Sequence, residues 1–576
     1  DHSAAARFRR ARKNRFPTWI RHDSFVPMLI RFFTIAIVAA LISAMPARAD
    51  VPPPVNSYAP PSDPLNRLTQ MDIGAITAEL EAGTLTSEQL VRFYLTRIRE
   101  MDDAGPQVNA VSQLYSDAYD IAKQRDAQRA AGKIMGPLHG IPILIKDNIE
   151  AEGALATTGG SLALMGNVTR RDAPLVARLR AAGAIIIGRT NLSEWANFRS
   201  SDSTSGWSAM WGLTRNPHAL NRTACGSSAG SGAGVAASFA AAAIGTETDG
   251  SIVCPAGTNG IVGYKPTLGL VSRRHIIPIS TNQDTAGPMT RSVRDAAIML
   301  TAMAGTDPQD AATAQADARK VDYAAALTPD ALKGARIGVM RGQAGKDPRI
   351  LHNFDLALAA MVKAGAVLVE IPDLNVDEDE LGKAEYAILL ADFRAEIDAY
   401  LAEKPHGVAR TGPQSLADLI AFNAKEYRET RWFGQDVFES AMKAPPVGSA
   451  EYAASRATAK RMAGPDGIDR LLRDNRVDVL VGVTNGPAWS IDLVHGDRFV
   501  GPAASTMPAV AGYPHLTVPM SHVEGLPVGL SIIGGQWDDA RVLAIGAAYE
   551  RATPGWLFLT PSMRADVDDR PVNGPR

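Results

Sequence analysis

Apolar positions alternate along the chain between helical and strand-like spacing. Residues 86–89 (TSEQ) match a helix capping box, and the apolar residues from Leu90 to Ile98 recur at helical spacing. Residues 140–145 (GIPILI) are a short unbroken apolar run, which predicts a buried strand that delivers Lys146 to its end. This part of the chain is therefore typical of an α/β protein.

The alternation continues towards the C-terminus. Asp172 predicts the start of a helix that Gly183 ends, and residues 184–187 predict the next strand. Residues 235–244 are rich in alanine, and their small side chains favour a buried helix over a strand. Residues 376–465 predict polar helices without a chemical motif, which suits a cap over a substrate site. Four further strands are predicted at residues 336–340, 366–371, 477–483 and 528–533.

The composition is that of a folded protein with an uneven charge. Of the 576 residues, 46% are hydrophobic and 21% are charged, which excludes disorder as the main character and allows a large core. Residues 1–49 hold eight arginines and one lysine against two aspartates, which gives this segment a net charge of +7. Since the whole chain has a net charge of −2, residues 50–576 have a net charge of −9. Because phosphate binding requires a basic surface, we expect no nucleic-acid partner.

The N-terminal segment has the pattern of a secretory signal. Residues 32–44 (FFTIAIVAALISA) are an apolar run too short to span a membrane, Arg31 precedes the run, and residues 47–49 (ARA) match a cleavage site. A membrane anchor is the alternative, which the shortness of the run disfavours. We expect translation to start at Met28, cleavage before Asp50, and a periplasmic or secreted protein without a stable membrane anchor.

These patterns divide the chain into three segments. Residues 1–49 are the upstream segment and signal peptide, and residues 50–64 are a proline-rich linker. Residues 65–566 are the predicted folded domain, with residues 376–465 as its helical cap.

Two loops rich in glycine and serine are the strongest chemical signal in the chain. They are residues 223–234 (TACGSSAGSGAG) and residues 245–255 (GTETDGSIVCP). Loops of this kind bring backbone N–H groups and small hydroxyls to one point, as an oxyanion site requires. One such loop alone is most simply a turn, but two of them together with a lysine at a strand end favour a catalytic site.

The same segments resemble the amidase signature family, from about residue 65 to residue 558. The matching segments are residues 140–147, 188–195, 225–231, 245–256, 263–269, 284–289, 511–514 and 526–529. The resemblance implies a single large α/β/α domain with a mixed, many-stranded sheet. It also implies hydrolysis of amide bonds without a cofactor.

By this resemblance, Lys146, Ser227 and Ser251 are a Ser-cisSer-Lys triad with Ser251 as the nucleophile. Neither loop contains a histidine, so the base that activates the serine must be the lysine. A lysine accepts a proton only when neutral, which needs its pKa to fall from about 10.4 by roughly three units, or about 4 kcal/mol. Burial at the end of an apolar strand would supply that shift. The resemblance places the oxyanion hole at the backbone N–H groups of Thr248, Asp249, Gly250 and Ser251.

Two segments are similar to the peptide amidase branch of the family. They are residues 247–255 (ETDGSIVCP) and residues 416–423 (LADLIAFN). Members of that branch hydrolyse the C-terminal amide of peptides to acid and ammonia; family members acting on fatty, aryl or cyclic amides are the alternative. Asp249 stands where glycine is usual, and we hypothesise that its carboxylate repels a free carboxylate and so favours amide ends.

Three other functions are compatible with parts of the sequence. An amidase subunit that matures aminoacylated tRNA is disfavoured by the export pattern and the acidic body. Residues 226–230 (GSSAG) match G-x-S-x-G, which would make Ser228 the nucleophile of an α/β-hydrolase esterase, but residues 218–225 are not the apolar strand that this motif follows. A binding protein on an inactive amidase scaffold is disfavoured because all three triad residues are present.

The cysteines and histidines predict no metal site. Cys225 and Cys254 are the only two cysteines, which excludes a four-cysteine zinc site. We expect them to be small buried apolar residues in preference to a disulfide. The ten histidines lack metal-binding spacing, so we expect no metal and no cofactor. The expected partner is a small-molecule or peptide amide substrate.

Overall fold

The apolar runs of the sequence assemble into one mixed sheet. The computed structural model describes residues 64–408, 410–554 and 560–566. In chain order their strands are β1 (Val111–Leu114), β2 (Pro142–Lys146), β3 (Ile185–Thr190), β4 (Trp207–Ser208), β5 (Gly212–Leu213), β6 (Arg215–Asn216), β7 (Ala219–Thr223), β8 (Ala242–Glu247), β9 (Val262–Lys265), β10 (Thr285–Thr290), β11 (Arg336–Val339), β12 (Val367–Glu370), β13 (Val479–Val483), β14 (His515–Val523) and β15 (Leu526–Ile533).

Eleven of these strands form the central sheet, in the order β1-β3-β2-β8-β10-β9-β14-β15-β13-β11-β12. Strand β2 runs parallel to both β3 and β8, whereas β10 is antiparallel to β8 and β9. Every residue of β2 and of β8 is buried. Because successive side chains of a strand point to opposite faces, both faces of the sheet are covered here. The predicted α/β class and the mixed, many-stranded sheet are therefore confirmed.

The helices predicted near Thr86 and Asp172 are among the helices of the structure. In the described residues they are α1 (Ile73–Ala82), α2 (Ser87–Arg97), α3 (Ala118–Ala130), α4 (Pro174–Ala181), α5 (Ala229–Ala236), α6 (Val253–Asn259), α7 (Val293–Met303), α8 (Ala316–Arg319), α9 (Pro348–Lys363), α10 (Glu378–Ala402), α11 (Leu416–Asn423), α12 (Tyr427–Thr430), α13 (Asp436–Lys443), α14 (Ala450–Ala463), α15 (Asp469–Asn475), α16 (Thr506–Ala511) and α17 (Asp539–Ala552). The capping box of α2 is present: Gln89 N donates to Thr86 Oγ1 and Thr86 N donates to Gln89 Oε1. The region 376–465 is helical as predicted, and its role as a cap stays a prediction.

Two details of the sequence prediction were wrong. Helix α4 starts at Pro174 with Ala173 as its N-cap, whereas Asp172 accepts a hydrogen bond from Glu152 N (2.7 Å). Proline suits the first helical position because its missing N–H would have no partner there. The alanine-rich segment 235–244 is not one helix: α5 ends at Ala236, and β8 begins six residues later. In the sheet centre, β8 pairs on both sides, and this backbone pairing outweighs the helix propensity of alanine.

The predictions for the N-terminus are not tested by the structure. The signal segment 1–49, with Met28, and the linker up to residue 63 lie outside the described residues. Among the residues described, no helix combines the length and apolarity needed to cross a membrane.

Candidate active site

Lys146 is the last residue of β2, and its side chain is fully buried. Its Nζ donates hydrogen bonds to Ser227 Oγ (2.7 Å), to Thr246 Oγ1 (2.9 Å) and to the Thr246 carbonyl (3.3 Å). Loss of hydration lowers the pKa of Lys146 to about 7, although the carboxylates of Asp284 and Glu247 act in the opposite direction. Lys146 can therefore serve as a base near neutral pH.

Ser227 lies in the turn between β7 and α5. The peptide bond between Gly226 and Ser227 is cis, and Ser227 is only 1% exposed. Its carbonyl accepts a hydrogen bond from Ser193 N (3.0 Å). A Cβ added at Gly226 would lie 2.1 Å from Ser193 Oγ, so the backbone can approach Ser193 this closely only because residue 226 is glycine. The turn is thus held tightly beside the lysine.

Ser251 lies in the loop between β8 and α6 and is 9% exposed, more than Ser227. Ser228 N donates to the Ser251 carbonyl (3.2 Å), so the two serine loops are in direct contact. The Glu247 carboxylate accepts hydrogen bonds from Ile252 N (2.7 Å) and Val253 N (3.0 Å), which fixes the loop after Ser251. Lys146 and Ser227 are hydrogen-bonded. No hydrogen bond links the Ser251 hydroxyl to another residue that the structure describes.

In the loop from Thr248 to Ser251, the side chains of Thr248 and Asp249 are hydrogen-bonded. Thr248 Oγ1 donates to Asp284 Oδ1 (2.6 Å), and Asp249 Oδ2 accepts from Thr506 Oγ1 (2.8 Å). No described residue accepts a hydrogen bond from the backbone N–H groups of residues 248–251. Gly250 adopts a left-handed backbone (φ +76°), which glycine tolerates without strain. The role of these four N–H groups as the oxyanion hole stays a prediction.

A disulfide joins the two serine loops. Cys225 and Cys254 are bonded, with their Cα atoms 6.0 Å apart. The prediction of two unpaired cysteines was therefore wrong. The two cysteines are 29 positions apart in the sequence, and the segment between them contains α5 and β8, so residues distant in sequence become neighbours.

The structure argues against Ser228 as a nucleophile. Its side chain is fully buried, and its hydroxyl donates to the Thr246 carbonyl (3.1 Å) while it accepts from Thr246 N (3.2 Å). Both bonds tie the start of α5 to β8. A hydroxyl held in this way has no access to a substrate, so the esterase alternative lacks its nucleophile.

Two polar residues near Lys146 were not among the candidate residues predicted from the sequence. Thr246 contributes two of the three lysine acceptors, and Asn148 Nδ2 donates to Thr246 Oγ1 (3.0 Å). Their position could have indicated them: Thr246 lies near the end of a buried strand, within the second segment rich in glycine and serine, and Asn148 is two residues beyond the lysine. A cavity borders both residues and is walled by the apolar segment 276–279 (IIPI). Within the described part of the chain, no cluster of His, Cys, Asp and Glu could hold a metal ion.

Comparison with known proteins places this site in a family. The family model described as Amidase matches residues 89–543. The native peptide amidase from Stenotrophomonas maltophilia, a solved structure, is 46% identical; the match covers 86% of this chain and 99% of that one, with a TM-score of 0.81. The "Probable amidase" of Arabidopsis thaliana is 36% identical over 479 residues, which cover 81% of this chain and 87% of that protein.

A third relative has a different described role. A glutamyl-tRNA(Gln) amidotransferase subunit from Pseudomonas syringae is 34% identical over 505 residues, which cover 85% of this chain and 99% of that protein. The family predicted from the sequence is thus confirmed by a family match that spans most of the domain. The chain belongs to the amidase family and is a hydrolase that acts on amide C–N bonds.

Proposed function

We propose that the protein is an exported serine amidohydrolase that uses Lys146, Ser227 and Ser251 to convert C-terminal peptide amides to acids and ammonia. One observation carries the catalytic assignment: a fully buried Lys146, with its pKa lowered to about 7, lies 2.7 Å from the Ser227 hydroxyl. The 46% identity to a peptide amidase supports the substrate class.

The first half-reaction forms an ester with the enzyme. Ser251 Oγ bonds to the carbonyl carbon of the amide while its proton passes to Ser227, whose own proton passes to the neutral amine of Lys146. The carbonyl oxygen becomes negative and accepts hydrogen bonds from the N–H groups of residues 248–251. The C–N bond then breaks, the lysine proton returns through Ser227 to the nitrogen, and ammonia leaves.

The second half-reaction reverses the first with water in place of ammonia. A water molecule gives a proton through Ser227 to Lys146 as its oxygen bonds to the ester carbonyl. The bond to Ser251 Oγ breaks, the lysine proton returns through Ser227 to Ser251, and the acid is released. Each half-reaction leaves Lys146 neutral, as the next one requires.

The substrate class is tested with a panel of primary peptide amides, fatty amides, aryl amides and esters, with release of the carboxylic acid measured for every class and release of ammonia measured for the amides. We expect turnover of peptide amides above the other classes. Higher turnover of fatty or aryl amides would replace the peptide assignment with that class. Turnover of esters alone would contradict amide hydrolysis.

The catalytic residues are tested by labelling and substitution. A fluorophosphonate should label Ser251, as located by peptide mass spectrometry. Label on Ser228 would support the esterase, and no label would support an inactive binding scaffold. Lys146→Ala, Ser227→Ala and Ser251→Ala should each abolish turnover, whereas Lys363→Ala, on the exposed face of α9, should keep it.

Export is supported by two independent features. Residues 32–49 have the pattern of a cleaved signal. The bond between Cys225 and Cys254 suits an oxidising compartment, because cytosolic thiols are kept reduced. The test is N-terminal sequencing of the protein from periplasm and medium, where we expect a mature chain that begins at Asp50. A protein recovered only from the cytosol would contradict export.

A further inference from the structure

The Lys146 amine has more hydrogen-bond partners than the proposed triad requires. Its Nζ has three acceptors, and Thr246 provides two of them, the hydroxyl (2.9 Å) and the carbonyl (3.3 Å); Ser227 Oγ provides the third (2.7 Å). Lys146 and Thr246 are both buried. Solvent therefore does not compete for the orientation of the amine.

The orientation matters because a neutral amine is asymmetric. An ammonium group has three N–H donors, but the neutral amine has two donors and one lone pair. Only an amine whose lone pair faces Ser227 can accept the proton of that hydroxyl. The other two directions must then point to groups that accept hydrogen bonds.

Thr246 supplies those two acceptors. Its carbonyl can only accept, so one N–H of the amine is directed there. Its hydroxyl accepts from Asn148 Nδ2 (3.0 Å) as well as from Lys146 Nζ (2.9 Å), which uses both lone pairs and turns its own hydrogen away from the lysine. The remaining direction of the neutral amine, its lone pair, faces Ser227.

We propose that Thr246 is a positioning residue that directs the lone pair of the neutral Lys146 amine at Ser227, and that Asn148 holds the Thr246 hydroxyl in the accepting orientation. This inference rests on the proposed function, since it assumes that Lys146 is the base. Without the Thr246 hydroxyl, the second N–H of the amine would turn to Ser227 Oγ. The lone pair would then point away from Ser227 and could not accept its proton.

The hydrogen bond to the Thr246 hydroxyl also affects the pKa of Lys146. The ammonium form needs three acceptors and the neutral form needs two, so removal of one acceptor disfavours the ammonium. The pH at which activity is lost on acidification should then fall. A purely structural role of Thr246 would lower activity without moving that pH.

The experiment compares Thr246→Val, which keeps the shape and removes the hydroxyl, with Thr246→Ser, which keeps the hydroxyl. The kcat and the pH profile of kcat/KM are measured from pH 5 to pH 9 with a peptide amide. For Thr246→Val we expect kcat to fall by about 10-fold to 100-fold, as for a misdirected catalytic group, and the acid limb to move to lower pH by at least about half a unit. Thr246→Ser should stay within about threefold of the parent, since its hydroxyl can make the same contacts.

Three results would overturn the proposal. They are a parental kcat in Thr246→Val, a lower kcat with an unmoved acid limb, and an equal loss in Thr246→Ser. If Thr246→Val does not fold, as judged by its thermal unfolding, Asn148→Ala provides the second test and should change kcat in the same direction by a smaller factor. A Lys146→Ala variant that keeps turnover would instead refute the proposed function, so the two failures are distinguishable.

Discussion

Two buried lysines in this molecule, the proposed base Lys146 and Lys265, differ in the groups that their amines contact. Lys146 ends β2 and Lys265 ends β9, and both side chains are almost completely buried. In both, loss of hydration is the largest influence, and it lowers the pKa to about 7 for Lys146 and to about 8 for Lys265. Burial alone therefore makes either lysine a possible base.

The difference lies in the atoms that each amine contacts. Lys265 Nζ donates to the carbonyls of Tyr513 (2.6 Å) and Pro266 (3.4 Å), and a carbonyl has no proton to give. Lys146 Nζ contacts the Ser227 hydroxyl, which can both donate and accept. The proposed mechanism thus needs both a buried lysine and a hydroxyl that can exchange a proton with it.

The strongest test of this contrast replaces each lysine with methionine, which has a similar length and no charge. Lys146→Met should lower kcat/KM by at least about 1,000-fold, because the nucleophile loses its base. Lys265→Met should lower kcat/KM by less than about tenfold, because its contacts are structural. Amide turnover of the two folded variants is compared. Equal losses in both would show that the hydroxyl contact does not distinguish them.

The second test concerns the disulfide, which cross-links the loops around the site of Lys146 and leaves those around Lys265 unlinked. With a sequence separation of 29 residues, loop-closure entropy predicts that Cys225→Ala/Cys254→Ala lowers the free energy of unfolding by about 3 to 4 kcal/mol. The midpoint of urea unfolding measures the change. Reductant should shift the parent in the same direction and leave the double variant unmoved. A parent insensitive to reductant would contradict a stabilising bond.

The site was predictable where its signals are local. A short apolar run that ends in Lys146 predicts a strand whatever its place in the sheet. The two loops rich in glycine and serine are each a continuous stretch of sequence, so they can be recognised without knowing the fold. The capping box of α2 is equally local, because Thr86 and Gln89 are three residues apart. For these elements, tertiary packing only reinforced what the neighbouring residues already favoured.

The sequence could not show features that depend on distant partners. Residues 235–244 are compatible with a helix or a strand, and only pairing with β2 and β10 makes the later part of the segment a strand. The Asn148–Thr246–Lys146 hydrogen bonds join residues about a hundred positions apart, and no motif records them. The pairing of Cys225 and Cys254 likewise depends on where the sheet places the two loops.

The third test uses pH. Lys146 must be neutral to accept a proton, and burial lowers its pKa to about 7, so kcat/KM should fall about tenfold for each unit below pH 7 and level off above it. Lys265→Met should keep this acid limb, because the limb belongs to Lys146. The pH profile of the parent and the variant is measured with a peptide amide. If the acid limb moves in Lys265→Met, the titrating group is Lys265 and not Lys146.

The smallest expected effect concerns Asp249, whose carboxylate raises the pKa of Lys265. If Asp249 repels a free carboxylate, Asp249→Asn should strengthen inhibition by the acid product by about threefold to tenfold, since charges about 4 Å apart interact by about 1 kcal/mol in water. Asp379→Asn, on the exposed start of α10, is the control and should leave inhibition unchanged.

The pH dependence of this inhibition separates charge from shape. Burial raises the pKa of Asp249, so in the parent the acid product should inhibit more strongly as the pH falls towards that pKa and the carboxylate gains a proton. Asparagine cannot titrate, so the variant should lack this trend. The acid limb of kcat/KM should stay in place, because Lys146 sets it. Unchanged product inhibition in Asp249→Asn would show that Asp249 does not determine the preference for amide ends. The contrast between the two lysines would not be affected.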